Sequence, residues 1–123
     1  MQNPVGWFEV PVTDMDRAIK FYNVVFEGEC SEPSNDGTRT TAILPYGMIE
    51  GGGSLTLTDG FTPSSDGIVL YLHCGDNLQV MLDRVVEAGG KVVYPKTDMG
   101  GGMGFLATFT DSEGNTLGLF SQN

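Results

Sequence analysis

The sequence predicts an α+β fold built from two tandem strand–helix–strands modules. Two observations carry this. The chain reads as one unit written twice, and within each copy the apolar period switches from two to near 3.6 and back. The first copy opens Gly6-Trp7-Phe8-Glu9-Val10-Pro11-Val12 and continues Asp14-Met15-Asp16-Arg17-Ala18-Ile19-Lys20-Phe21-Tyr22. The second opens Ile68-Val69-Leu70-Tyr71-Leu72-His73-Cys74, then Asp76-Asn77-Leu78, and its helix ends at Glu87-Ala88-Gly89-Gly90. The strands lie about 62 residues apart, with roughly one inserted residue before the second helix. A duplicated unit of this kind implies a pseudo-symmetric fold with a cleft between its halves.

In the first strand Phe8, Val10 and Val12 share one face, while Trp7, Glu9 and Pro11 share the other. Thr13 or Asp14 can cap the helix that follows. Met15, Ala18, Ile19, Tyr22 and Phe26 recur at helical spacing as an apolar stripe, which packs over Phe8, Val10 and Val12. Trp7, Glu9 and Pro11 then face away from the helix. Residues 27–37 are polar and hold Pro33, Asn35, Asp36 and Gly37, a loop signature. Thr38–Leu44 is rich in β-formers, Pro45-Tyr46-Gly47 marks a turn, and Met48–Glu50 and Ser54–Thr58 read as strand around Gly51-Gly52-Gly53.

The second module repeats the plan. Leu70, Leu72 and Cys74 take the helix side, and Val69, Tyr71 and His73 the opposite face. Leu78, Met81, Leu82, Val85 and Val86 form the helix stripe, ended by Gly89-Gly90. Lys91–Tyr94 is a short strand and Met99–Gly104 a glycine-rich loop. Phe105–Thr110 and Thr116–Phe120 are strands joined by a turn at Asp111–Asn115. Module one spans about 4–58, the linker about 59–67 and module two about 68–121, together one domain over 1–123.

The bulk properties narrow the function. With 123 residues and 40% hydrophobic composition the chain can bury a core of its own. No apolar run approaches the roughly 18 residues that cross a bilayer. Met1-Gln2-Asn3-Pro4 lacks the basic and apolar regions of a secretory signal, so a cytoplasmic location is expected. Acidic residues outnumber basic ones 16 to 6, a net charge of −10. That field repels phosphate backbones, which argues against nucleic acid, and attracts cations. Cys30 and Cys74 form no C-x-x-C pattern and read as buried free thiols.

In this order and with this duplication, Val12-Thr13-Asp14, Ala18, Phe21-Tyr22, Glu87-Ala88-Gly89-Gly90-Lys91-Val92 and Asp111-x-Glu113-Gly114-Asn115 resemble the vicinal oxygen chelate superfamily. That superfamily groups glyoxalase I, bleomycin-resistance proteins and extradiol dioxygenases. The resemblance implies paired βαβββ modules with curled mixed sheets around a cleft, and a homodimer. It also implies a divalent metal held by His and Glu in the catalytic members. Carried over position by position, the ligand places fall on Trp7, Val69 and Gly118, with the fourth near Leu55. An indole, an isopropyl group and a hydrogen atom offer no donors to a hard divalent ion, so no metal and no cofactor are expected.

The alternation leaves Trp7, Glu9, Tyr71 and His73 facing the cleft, beside Val69 and Gly118. Aromatic walls with a carboxylate and an imidazole suit a hydrophobic or cationic small molecule, and they suit a dimer interface equally well. His73 is the single histidine. A metal site built on it would need Glu9 and Glu50, and an acid–base pair would need Glu9. The Gly100–Gly104 run lacks the Lys-Ser/Thr of a phosphate loop and precedes a strand, so it reads as a plain connection or a lid. Asp111, Glu113 and Asn115 read as turn chemistry around Gly114. The resulting expectation is a metal-independent small-molecule binding protein. A glyoxalase-like enzyme, related to lactoylglutathione lyase, is the alternative.

Overall fold

The computed structural model describes residues 4–45 and 51–123. The strand expected at Met48–Glu50, and Glu50 as a ligand, lie outside them. Two compact units divide the chain, 1–63 and 64–123.

The first unit holds β1 (Phe8–Pro11), α1 (Met15–Phe26), β2 (Ser34–Asn35), β3 (Thr40–Ile43) and β4 (Gly53–Leu57). The second holds β5 (Tyr71–His73), α2 (Leu78–Glu87), β6 (Lys91–Asp98), β7 (Phe105–Thr110) and β8 (Thr116–Ser121). Each unit is a four-stranded mixed sheet, ordered β1-β4-β3-β2 and β5-β8-β7-β6. In both, the first strand pairs in parallel with the last, and the remaining pairs are antiparallel. A parallel pair needs a long crossover, and each unit's helix lies on that path.

Local chemistry sets the helix ends. The Asp14 carboxylate accepts from the Arg17 amide at 3.1 Å, and the Asn77 side chain accepts from the Gln79 amide at 2.9 Å, each satisfying a donor that the first turn leaves open. Gly89, at φ +98°, follows α2 in the left-handed conformation that glycine tolerates best.

The helix side of the two sheets is the same row written twice. Val10 pairs with Leu55 and Leu55 with Ala42; Leu72 pairs with Leu119 and Leu119 with Ala107. All six are buried, as are Ala18, Phe21, Tyr22 and Val25 of α1 and Leu78, Leu82 and Val85 of α2. These aliphatic rows are the cores of their units.

The structure departs from the sequence reading in four places. Ser34–Asn35 forms a short strand inside the expected loop. Strand β6 runs to Asp98 rather than Tyr94, because register shifts between Val92 and Tyr94 and between Tyr94 and Thr97 accommodate Pro95 on an edge strand. Strand β5 starts at Tyr71, and Ile68 is almost fully exposed. Val86, expected on the buried stripe, is exposed. At 100° per residue it sits about 80° around the helix from Leu78, past the edge of the face that Leu78, Leu82 and Val85 bury.

Candidate functional site

The side of each sheet turned away from its helix carries the polar and aromatic residues. The register aligns them strand by strand. In the first unit Glu9 stands opposite Ser54, which stands opposite Ile43; the next row is Pro11, Thr56 and Thr41. In the second unit the matching rows are Tyr71, Gly118 and Thr108, then His73, Phe120 and Leu106.

The first unit's open face is polar and hydrogen-bonded. Arg39 pairs with the Glu9 carboxylate, and Thr56 Oγ1 donates to Glu9 Oε2 at 3.2 Å. Ser54 Oγ lies 3.3 Å from Thr56 Oγ1. Since Thr56 spends its one proton on Glu9, Ser54 is the donor of that second contact. Ser54 and Thr56 are buried, whereas Glu9 and Arg39 keep more than a third of their side chains in solvent. Glu9 is therefore an acceptor already engaged by a guanidinium and a hydroxyl. Trp7 precedes β1 and is exposed.

The second unit's open face is apolar and concave. Tyr71, His73, Met99, Leu106 and Phe120 line a cavity of about 340 Å³. His73 and Phe120 meet edge to face, with ring centroids 5.6 Å apart. The Gly75 amide donates to His73 Nδ1 at 3.3 Å, which makes Nδ1 an acceptor. Met99 reaches the cavity from the β6–β7 hairpin. That turn is held by Met99 N–H to the Gly104 carbonyl (2.9 Å), Gly100 N–H to Asp98 Oδ1 (2.8 Å) and Gln122 Nε2 to the Gly102 carbonyl (3.0 Å). Gly100, Gly101 and Gly102 all take positive φ there, which explains the glycine run as hairpin geometry.

The structure thus brings Tyr71 and His73 of the expected site residues together at one cavity. Gly118 lies beside them, directly across from Tyr71. Val69 is half-buried ahead of β5. Glu9 belongs to the Arg39 and Thr56 cluster of the first unit, and Trp7 lies in that unit ahead of β1, outside the cavity lining. Sequence reasoning missed Met99, Leu106 and Phe120. Phe120 was legible, since it lies two residues past Gly118 on one strand face, and Leu106 pairs with it. Asp111, Glu113 and Asn115 form a closed turn, with the Asp111 carboxylate accepting from both backbone amides and from the Asn115 side chain.

The ligand places implied by the resemblance do not fit a divalent ion. Trp7, Val69 and Gly118 carry no donor, and the space into which a side chain at 118 would project is filled by the Tyr71 ring. The fourth place is corrected by the register. Ser54, not Leu55, stands where Gly118 stands in the second unit, and Leu55 is buried on the helix side. Among the described residues no three His, Cys, Asp or Glu side chains gather as a metal site would need.

Comparison with known proteins agrees with this architecture. A sequence profile of the glyoxalase/bleomycin resistance protein/dioxygenase superfamily matches residues 5–119. A glyoxylase-like domain-containing protein from Didymella fabae is 27% identical over 121 residues, covering 94% of this chain and 91% of that protein. The crystal structure of TnmS3, an antibiotic binding protein from Streptomyces sp. CB03234, superposes with a TM-score of 0.69 at 26% identity over 98% of both chains. Glyoxalase I from Zea mays superposes with a TM-score of 0.74 at 23% identity, over 97% of this chain and 46% of the maize protein. The chain thus spans about half the length of the maize protein, a likeness of fold.

Proposed function

This chain belongs to the glyoxalase/bleomycin resistance protein/dioxygenase superfamily, and from that premise we propose that it is a metal-independent binding protein for a hydrophobic or cationic aromatic small molecule. The observation that carries the reading is the apolar cavity of the second unit, lined by Tyr71, His73, Met99, Leu106 and Phe120. Its volume falls within the range of small-molecule sites, and its lining has their usual make-up of apolar walls with one orienting polar group. His73 is the imidazole-bearing residue of that lining. The net charge of −10 favours a cation over an anion in the same space. The antibiotic binding described for TnmS3 supports a binding role in this fold. The Tyr71 ring over Gly118 supports the absence of a metal.

Titration with the neutral fluorophore N-phenyl-1-naphthylamine and with a cationic acridine tests the reading. Saturable binding of one molecule per chain is expected. Phe120→Ala should weaken it about tenfold, as the loss of an aromatic wall contributing roughly 1–2 kcal/mol requires. Equal affinity in wild type and Phe120→Ala would move the ligand elsewhere.

A second reading, a glyoxalase-like lyase working by acid–base chemistry, has one observation in its favour. Glu9 is a carboxylate ordered on an open sheet face by Arg39 and Thr56. Turnover of the methylglyoxal–glutathione adduct by metal-free protein, abolished in Glu9→Gln, would establish it over the first. The exposed edge of β6, with Val92, Val93 and Tyr94, supports assembly as a homodimer, which sedimentation equilibrium measures.

A further inference from the structure

We propose that Gly118 sets the specificity of this cavity by leaving room for the Tyr71 ring to lie flat on the sheet, so that the ring's outer face becomes a stacking platform for a planar aromatic ligand. The proposal rests on the reading of the second unit's cavity as a ligand site. It adds a residue that does not itself line the cavity and a geometry for what the cavity takes.

Tyr71 and Gly118 are direct partners across the parallel β5–β8 ladder. A Cβ on Gly118 would stand 2.5 Å from Cε2 and 2.7 Å from Cγ of Tyr71, far inside the roughly 3.5–4 Å at which carbons meet. The ring therefore covers the glycine, as aromatic side chains do where a strand lacks its own. Backbone conformation does not explain the glycine. Gly118 is absent from the positive-φ glycines, so its φ is one that side-chain-bearing residues adopt. A glycine inside a strand is otherwise a weakness. What requires it here is the space occupied by Tyr71.

The first unit supplies the internal control. At the matching position Ser54 carries a side chain, and its partner in the parallel ladder is Glu9, with no ring to accommodate. The aromatic-over-glycine arrangement does recur in that unit, at Phe8 and Gly53, where a Cβ would meet three ring carbons at 2.6 Å. That pair lies one residue earlier, on the helix side, where the Phe8 ring is half-buried. In the second unit the pair lies on the open side, so the ring faces a cavity. Tyr71 is a wall of that cavity and remains 43% exposed, leaving one face for a ligand.

A double-mutant cycle tests the proposal. Wild type, Gly118→Ala, Tyr71→Ala and the double variant are compared by N-phenyl-1-naphthylamine affinity and by thermal unfolding midpoint. Gly118→Ala should weaken the fluorophore about tenfold when Tyr71 is present, and change affinity by less than about twofold when it is already Ala. Tyr71→Phe, which keeps the ring, should stay within about twofold of wild type. The midpoints should be non-additive, with the alanine at 118 costing less once the ring is gone. Equal effects of Gly118→Ala in both backgrounds would overturn the proposal, as would no effect in either. If Gly118→Ala alone fails to fold, recovery of folding in the double variant supports the coupling, and failure of both overturns it. If wild type takes up no fluorophore, the ligand-site reading falls with it, whereas the unfolding midpoints still decide whether ring and glycine are coupled.

Discussion

The two units share one topology and one core yet present opposite open faces. On the helix side the rows Val10–Leu55–Ala42 and Leu72–Leu119–Ala107 are near copies, because both must fill the same gap between sheet and helix. On the other side Glu9, Ser54, Thr56 and Arg39 form a hydrogen-bonded polar cluster where Tyr71, His73, Phe120 and Leu106 surround an apolar cavity. The helix side answers to packing, which tolerates little change. The open side is free to differ, and the difference locates the candidate site in one unit rather than in both.

The equivalence of the two cores gives the largest expected effect. Leu55→Ala and Leu119→Ala should each cost about 2–5 kcal/mol, and by similar amounts, because both leucines are fully buried between an aliphatic residue and an alanine. Chemical denaturation measures both. A cost confined to one of them would break the parallel between the units.

Two glycines with nearly equal φ sharpen the contrast between a crowded and an open backbone. Gly104 (φ +107°) has the Ser121 carbonyl 2.7 Å and Phe120 Cε1 2.9 Å from where a Cβ would sit, whereas Gly37 (φ +105°) has nothing within 4 Å. Gly37→Ala should cost about 1 kcal/mol of conformational strain. Gly104→Ala should cost roughly 1–3 kcal/mol more, and it should disturb fluorophore binding because Phe120 is a cavity wall. Similar losses in the two variants would remove the role assigned to crowding at the hairpin.

The polar face predicts a smaller change with a distinct signature. Thr56→Val removes the hydroxyl that donates to Glu9 and should destabilise the chain by about 1 kcal/mol. Fluorophore affinity should stay unchanged. Weaker binding in Thr56→Val would extend the site to the first unit.

The thiols behave alike. Burial pushes the Cys30 and Cys74 thiols up from 9.0 to about 11, desolvation of the thiolate outweighing the one backbone hydrogen bond that favours it. Both should react slowly with Ellman's reagent at pH 8. The sign of the stability effect follows from raised folded-state values. The contribution is fully present below pH 9 and is lost as pH rises towards about 11, where the folded chain must also release those protons. Rapid modification of one cysteine at pH 8 would separate the units.

Much of the fold was legible because duplication repeats its own evidence. Helices α1 and α2, their Asp14 and Asn77 caps and the alternation of β1 and β5 follow from local spacing. The illegible parts depend on pairing. The extension of β6 past Pro95 needs a neighbouring strand and two register shifts. Ser54 rather than Leu55 as the counterpart of Gly118 follows only from the β1–β4 register. For the site, parity along β5 placed Tyr71 and His73 on one face, as found. It could not separate them from Glu9, because the Arg39 partner comes from β3's approach, 30 residues away in sequence. Nor could it bring Met99 to the cavity, since that depends on how the Gly100–Gly102 turn closes.

Under the proposed function the ligand site belongs to the second unit alone. Titrating N-phenyl-1-naphthylamine into ¹⁵N-labelled protein and following the amide chemical shifts tests it most directly. Tyr71, Leu72, His73, Met99, Leu106 and Phe120 should shift together and saturate, while Glu9, Arg39, Ser54 and Thr56 hold still. Shifts gathered on Glu9, Ser54 and Thr56, with those of Tyr71 and Phe120 unmoved, would contradict it.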